Sequence, residues 1–140
     1  MVKLIIVCHG GLAEGLINAM ELIAGSQEGV VGIRLDEQDP IDELDTRVEL
    51  AVQDRLADQE VLILVDLFGA SPFNASCRVA NRNAGVEVIT GVNLAMLLET
   101  ALQRESSTLT ELTAIALEAE AGSVKVLSKL MSPENDPDVD

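Results

Sequence analysis

Two residues of this 140-residue chain have the types and positions that nucleophilic chemistry on an anionic group requires. His9 follows an apolar run at 2–8, and Asp66 follows a second apolar run at 61–65. A carboxylate beside an imidazole accepts a hydrogen bond from one ring nitrogen and makes the other more basic, so that it can attack phosphorus. Ser71 stands before Pro72 at a predicted helix start, where unpaired N–H groups favour anions.

These residues come together only if the intervening chain folds as a particular kind of sheet. Apolar runs at 2–8, 30–35, 61–65 and 86–89 predict four strands, and helical periodicity predicts helices between them. Regular alternation indicates a parallel sheet with helices on both faces. We expect a doubly wound α/β fold with strand order 2-1-3-4, which makes the first and third strands neighbours at the topological switch point. His9 and Asp66 are then expected to face each other across the crevice.

Local signals also predict where helices begin and which faces they bury. Asp39 and Ser71 each precede a proline and are predicted N-caps, and Asn93 is the predicted cap of the helix after the fourth strand. Residues 123–127, with alternating valines, predict a last strand. The first helix is predicted to bury one face made of Leu12, Leu16, Met20 and Ile23.

Composition limits the classes of protein to which the chain can belong. A formal net charge of −15 argues against binding to nucleic acid or to an anionic membrane surface. No apolar run reaches the roughly 18 residues of a spanning helix. No second histidine or Cys-x-x-Cys pair supports a metal site, so we expect no metal and no cofactor. We expect one cytoplasmic domain at 1–130, with reduced thiols at Cys8 and Cys77, and a disordered acidic tail at 131–140.

Four segments at consistent spacing resemble the IIA component of the mannose family of the bacterial sugar phosphotransferase system. They are CHGGLAEG at 8–15, GSQEGV at 25–30, DLFGASPFN at 66–74 and GVNLAMLLE at 91–99. The resemblance runs from Val2 to about Val126. It implies that His9 accepts a phosphoryl group from the histidine phosphocarrier HPr and passes it to a IIB component for sugar uptake.

The resemblance also assigns roles to individual residues. Asp66 matches the aspartate that orients the catalytic histidine. Family members are homodimers that exchange a C-terminal strand, here about 123–127, and they meet the membrane only indirectly, through the IIC and IID permease. Because the chain ends soon after the IIA region, we expect IIB to be a separate protein. The predicted phosphate-binding residues are Gly10, Phe68, Gly69, Ala70 and Ser71, and Phe68 is also predicted to form part of a docking rim.

Three positions depart from the family pattern. Ala70 stands where the family usually has glycine, Ala95 where it has proline, and Cys8 where serine or threonine is common. If position 70 needs a positive φ, alanine there costs about 1–2 kcal/mol. These departures bear on the shape of the loop and on the choice of IIB partner.

Three alternative functions remain open from the residues. A receiver-type module would use Asp66 as phosphoacceptor but needs an acidic pair after the first strand, where Cys8 and His9 stand. A hydrolase built from Ser71, His9 and Asp66 lacks the G-x-S-x-G elbow. A regulatory homologue, or the phosphotransfer subunit of a dihydroxyacetone-kinase-like system, would keep the histidine and serve no transporter.

Overall fold

Four parallel strands form one sheet in the order β2-β1-β3-β4, as predicted from the alternation of apolar runs and helices. The computed structural model describes residues 1–131. The predicted acidic tail lies outside the described residues, apart from Met131. The strands are β1 (Lys3–His9), β2 (Val30–Leu35), β3 (Val61–Val65) and β4 (Val86–Ile89). The helices are α1 (Leu12–Ala24), α2 (Ile41–Gln53), α3 (Ser71–Arg82), α4 (Leu94–Gln103), α5 (Leu109–Ser123) and α6 (Leu127–Leu130), with a 3₁₀ turn at Arg104–Ser106.

Apolar side chains project from both faces of the two central strands, β1 and β3, which explains their near-continuous apolar sequences. On β1, Leu4, Ile6 and Cys8 belong to a core cluster shared with α1, α4 and α5. The alternate residues Ile5 and Val7 belong to a second cluster shared with α2 and α3. All five side chains are fully buried. The sheet is therefore a rigid platform between two helical layers.

Strand register fixes where the polar residues emerge. Val7 of β1 pairs with Val65 of β3, so His9 and Asp66 leave the sheet at the same edge. On the other side of β1, His9 pairs with Leu35 at the end of β2. The loop after β2 therefore opens at this edge as well.

The buried face of α1 is rotated from the predicted one. Leu16 and Met20 face the core as expected, but Leu12 is 45% exposed and Ile23 is 62% exposed. Ala13 takes the central position instead, and it packs over Gly32 of β2, where an added Cβ would lie 3.5 Å from that of Ala13. The helix approaches the sheet through small residues, and the spacing of large apolar residues does not predict such a contact.

The predicted C-terminal strand at 123–127 does not form in the described residues. Ser123 ends α5, and the backbone at Val124 and Val126 is extended but pairs with none of the four strands. A helical turn begins at Leu127. A strand requires a hydrogen-bonding neighbour, and residues 1–131 provide none to the segment. The two valines are instead 73% and 52% exposed.

Two of the three predicted N-caps are wrong. Asn93 caps α4 by accepting a hydrogen bond from the Met96 N–H at 2.9 Å, as predicted. Pro40 and Ala70 occupy the N-cap positions predicted for Asp39 and Ser71. Asp39 instead accepts the Asp36 N–H at 2.8 Å and holds the loop before α2. Within residues 1–131, no helix is both long enough and apolar enough to cross a bilayer.

Candidate functional site

The structure brings His9 and Asp66 into direct contact at the carboxyl edge of the sheet. The His9 Nδ1 lies 2.8 Å from the Asp66 Oδ2, and the His9 backbone N–H donates to the same oxygen at 2.9 Å. The carboxylate therefore holds both the main chain and the ring of His9. With Nδ1 as the donor to the carboxylate, Nε2 carries the free lone pair. No residue of the described chain hydrogen-bonds to Nε2.

Exposure differs sharply between the two partners, and the difference suits their chemistry. The side chain of His9 is 46% exposed, whereas that of Asp66 is 10% exposed. Burial by itself would raise the pKa of Asp66, but hydrogen bonds from His9 and from the Leu67 N–H outweigh it, so this pKa is lowered. Asp66 is consequently a fixed anion, and the accessible ring nitrogen of His9 is the group that can react.

Ser71 lies beside His9 in one open cleft of about 310 Å³. It is the first residue of α3, and Pro72 follows it. Its hydroxyl does not cap the helix and forms no hydrogen bond within residues 1–131. A free hydroxyl and the first-turn N–H groups of a helix are the kinds of group that bind anions at helix starts.

The backbone of the turn between Asp66 and α3 shows whether alanine is strained at position 70. Gly69 has φ +80°, a conformation that favours glycine. Ala70 has φ −84° and extended backbone, so its side chain adds no strain. The departure from the family pattern at position 70 is therefore tolerated without the cost of a positive φ.

Glycines also shape the backbone around the histidine. Gly10 has φ +53°, and its N–H donates to the Leu35 carbonyl at 2.8 Å, which directs the chain sharply from β1 into α1. The Gly91 N–H donates to the Asp66 carbonyl at 3.2 Å and ties the loop after β4 to the end of β3. Both contacts fix main chain directly next to the reactive pair.

The two aromatic rings of the chain, those of Phe68 and Phe73, contact each other in a tilted arrangement. The ring centroids of Phe68 and Phe73 are 5.1 Å apart with a tilt of 49°. Phe73 packs against the core cluster of α2 and α3, whereas Phe68 is 80% exposed. The inner ring supports the outer one, so Phe68 is an anchored apolar projection beside the site.

Cys8 precedes the histidine but does not compete with it. Its side chain is fully buried, and burial, together with the Asp66 charge, raises the pKa of the Cys8 thiol to about 12. The thiol is neutral near physiological pH and therefore a poor nucleophile. Its position inside the α1 core cluster agrees with a packing role.

Sequence reasoning missed three carboxylates that line the same cleft. Asp36, Glu37 and Asp39, in the loop after β2, lie there with His9, Leu35, Ile41 and Ser71. The signal that could have identified them was the predicted strand order, because the loop after the second strand leaves the sheet beside His9. These residues are called the acidic loop below.

Comparisons with known proteins identify the class to which this fold and site belong. The family profile described as "PTS system fructose IIA component" matches residues 3–117. The chain therefore belongs to the mannose-type IIA components of the sugar phosphotransferase system, whose members are phosphotransferase relay proteins.

Individual relatives agree with this assignment. The chain is 35% identical over 127 residues to the "PTS system mannose-specific EIIAB component" of Escherichia coli, covering 90% of this chain and 39% of that protein. It therefore spans well under half the length of that relative. It is 30% identical to the "PTS system fructose-specific EIIA component" of Bacillus subtilis, covering 80% of this chain and 77% of the relative. The phosphotransferase system component EIIA of Streptococcus agalactiae superposes with a TM-score of 0.86 at 32% identity, covering 92% of this chain and 99% of that one.

Proposed function

We propose that this protein carries a phosphoryl group on His9, accepting it from phosphorylated HPr and passing it to a IIB component. The observation that carries the proposal is the 2.8 Å contact between Nδ1 and a buried carboxylate, which leaves Nε2 free and the ring half exposed. Membership of a family of relay phosphotransferases supports it. We place this relay in the cytoplasm, where it meets the membrane only through the IIC and IID permease.

In the forward step, Nε2 of His9 attacks the phosphorus of the donor's phosphohistidine. The Nε2–P bond forms as the donor's N–P bond breaks, and the electron pair of that bond returns to the donor imidazole. Asp66 keeps the proton on Nδ1 and stabilises the positive charge that the ring acquires. The transferring group needs electrostatic positioning more than covalent help, because its transition state is loose.

The equatorial oxygens of the phosphoryl group meet the α3 end of the cleft. In this proposal Ser71, which lines the cleft with His9, donates its hydroxyl to one of them, and the first-turn N–H groups of α3 add partial positive charge. Gly10, Phe68, Gly69 and Ala70 complete the predicted binding set by shaping the backbone and the rim. The same contacts serve the reverse geometry, in which a IIB component takes the group from His9.

We also propose that the protein is a homodimer that exchanges its C-terminal segment. The extended and exposed residues Val124 and Val126 support this, as does β4, which within residues 1–131 pairs only with β3 and leaves its other edge open. A segment from a second copy could add to that edge and supply the hydrogen bonds that are missing in one chain. The domain assignment, 1–130 with a separate acidic tail at 131–140, is likewise a proposal.

The decisive experiment is intact-mass measurement after incubation with phosphoenolpyruvate, enzyme I and HPr. We expect wild type to gain one phosphoryl group that is stable in alkali and lost in acid. The matched variant His9→Gln keeps a polar side chain of similar reach and is expected to gain nothing. Full labelling of that variant would refute the assignment to His9.

The same experiment separates the alternatives. A receiver-type acyl phosphate on Asp66 would be lost in alkali. A hydrolase would use Ser71 as its nucleophile, and a serine-reactive probe would then label it; no hydrogen bond joins Ser71 to His9 in the described chain. A dihydroxyacetone-kinase-like or regulatory role would give labelled His9 without onward transfer to any IIB component.

A further inference from the structure

We propose that Glu87 and Lys125 fix the register in which a second copy of this chain adds residues 124–126 to the open edge of β4. The pair that we assign joins Glu87 of one copy to Lys125 of the other, with the two strands antiparallel. The inference rests on the proposed homodimer and deepens it, because it names the residues that select what the edge binds. It does not depend on the phosphoryl relay at His9.

The open edge of β4 is covered in part by the strand's own side chain. The Val61 N–H of β3 donates to the Gly85 carbonyl at 2.9 Å, and in a parallel ladder every second residue of a strand faces the same neighbour. The main-chain groups of Glu87 therefore face β3, whereas those of Val86 and Val88 point away from it. The Val88 N–H donates instead to the Glu87 carboxylate at 2.9 Å. A charged side chain placed in this way protects an edge against unselective pairing.

The C-terminal segment has the same alternation of side chains as the edge, with the opposite charge. Residues 86–88 are Val-Glu-Val and residues 124–126 are Val-Lys-Val. The valines of β4 are half-buried and pack on the core cluster of α2 and α3, whereas Glu87 is exposed. When Lys125 lies opposite Glu87 in an antiparallel pair, the two valines of the segment lie opposite the two valines of β4 and extend the same apolar face.

Other registers lose these matches. A shift by one residue turns the valines of the segment to the opposite face of the sheet and places Lys125 opposite a valine. A shift by two residues keeps the faces but places Lys125 opposite Gly85 or Ile89, and it leaves one valine of the segment without its partner. The proposed register is therefore the one in which both the apolar and the charged positions are matched.

The charged pair falls where side chains of neighbouring strands come closest. Val86 and Val88 carry the outward main-chain groups, so they form the hydrogen-bonded pairs with the added strand, and Glu87 lies at the non-hydrogen-bonded position between them. A carbonyl of the second copy then accepts the Val88 N–H and releases the Glu87 carboxylate to the ammonium group of Lys125. Within residues 1–131, Lys125 is exposed and has neither an ion pair nor a hydrogen bond of its own.

The distribution of charge in the chain supports a second copy as the occupant. The net charge is −15, yet two of the three lysines lie at 125 and 129, and residues 123–131 contain no aspartate or glutamate. This cationic segment is the part of the chain that suits an edge bearing a carboxylate. Its backbone is extended at Val124 and Val126, and it pairs with no strand of its own chain within residues 1–131.

The test reverses the two charges separately. Glu87→Lys and Lys125→Glu each place like charges opposite one another, and two-fold symmetry makes this happen twice in a dimer. We expect each variant alone to dimerise about tenfold more weakly than wild type in sedimentation equilibrium at low salt. In a heterodimer of the two variants, opposite charges meet at both contacts, so an equimolar mixture is expected to dimerise within about threefold of wild type. All these differences are expected to shrink at about 0.5 M salt.

The matched control is Glu21→Lys, which reverses an exposed carboxylate on α1 and changes the net charge as Glu87→Lys does. We expect it to dimerise like wild type and not to restore dimerisation when mixed with Lys125→Glu. Unchanged dimers in both single variants, or a mixture as weak as its components, would overturn the register. Restoration in the double variant Glu87→Lys/Lys125→Glu without restoration in the mixture would place the pair within one chain and also overturn it. A monomeric wild type would refute the homodimer and this inference together, whereas labelling of His9 tests the relay separately.

Discussion

Asp66→Asn is the substitution that most directly tests how the site works. In wild type, one carboxylate oxygen accepts both the backbone N–H and the Nδ1 proton of His9, and the other accepts the Leu67 N–H at 2.9 Å. An asparagine side chain has one oxygen and one NH₂ group, so the NH₂ group must face an N–H donor on one side. Whichever way the amide turns, at least one hydrogen bond is lost and the negative charge disappears.

The expected loss of transfer rate in Asp66→Asn follows from those contacts. A hydrogen bond to a charged group contributes about 1.5–3 kcal/mol, and each 1.4 kcal/mol is a factor of ten. We therefore expect transfer from phosphorylated HPr to slow by about 10- to 150-fold, because the ring loses its counter-charge and its Nδ1 hydrogen bond is weakened or lost. The assay is quenched-flow labelling with intact-mass detection. Labelling within about threefold of wild type by a correctly folded variant would refute the reasoning.

The control for this experiment is Asp45→Asn. Asp45 also has a lowered pKa, caused by its hydrogen bonds with Arg78, but that pair joins α2 to α3 and does not contact His9. We expect this control to transfer phosphate at the wild-type rate. Slowing of both variants to the same degree would point to a general electrostatic or folding effect.

The same variant predicts a pH dependence of stability. Because the pKa of Asp66 is lowered by folding, its carboxylate stabilises the protein above the pKa of an unfolded aspartate, about 3.9. That contribution disappears as the pH falls through the lower folded pKa. The difference in unfolding free energy between wild type and Asp66→Asn should therefore be largest near neutral pH and shrink below about pH 4. Urea unfolding at a series of pH values measures it, and a difference that grows in acid would contradict the sign.

Three further predictions follow from the rim, the turn and the C-terminal segment. Phe68→Ala is expected to raise KM for phosphorylated HPr about tenfold with little change in the unfolding temperature, because Phe68 is exposed. Phe73→Ala removes a core contact and should lower the unfolding temperature. Equal destabilisation by both substitutions would contradict the assignment of Phe68 to a docking rim. Ala70→Gly is expected to cost about 0.4–1 kcal/mol in denaturant unfolding, because φ −84° already suits alanine; a gain in stability would show strain there. Val126→Asp is expected to convert a dimer to a monomer in sedimentation equilibrium, and an unchanged dimer would show that this segment is not exchanged.

The parts of the fold that the sequence could predict are those governed by burial. The apolar runs of β1 and β3 predicted central strands because both of their faces are covered, and their order placed His9 beside Asp66. The buried face of α1 could not be predicted in the same way. It depends on the close approach of Ala13 to Gly32, a contact between residues far apart in the chain. The periodicity of large apolar side chains does not show where a small residue such as Ala13 allows close packing.

The errors at helix starts and at the C-terminus have different physical causes. A Ser-Pro signal predicts a cap, but the hydroxyl of Ser71 is left free when Ala70 takes the N-cap position, which is the arrangement that an anion site can use. The strand predicted at 123–127 is wrong: Val124 and Val126 have extended backbone, but Ser123 ends α5 and Leu127 begins α6. Pairing needs a second element, and alternation within one chain cannot say where that element lies.

In the proposed relay, charge at the site has to orient the histidine and to balance the charge that develops on its ring. The Asp66 carboxylate is the group that can do both, because it hydrogen-bonds to Nδ1 of His9 and leaves Nε2 to react. The carboxylates of the acidic loop line the same cleft, but within the described residues they hydrogen-bond to neither ring nitrogen. The proposal therefore assigns the orientation of the ring to Asp66 alone.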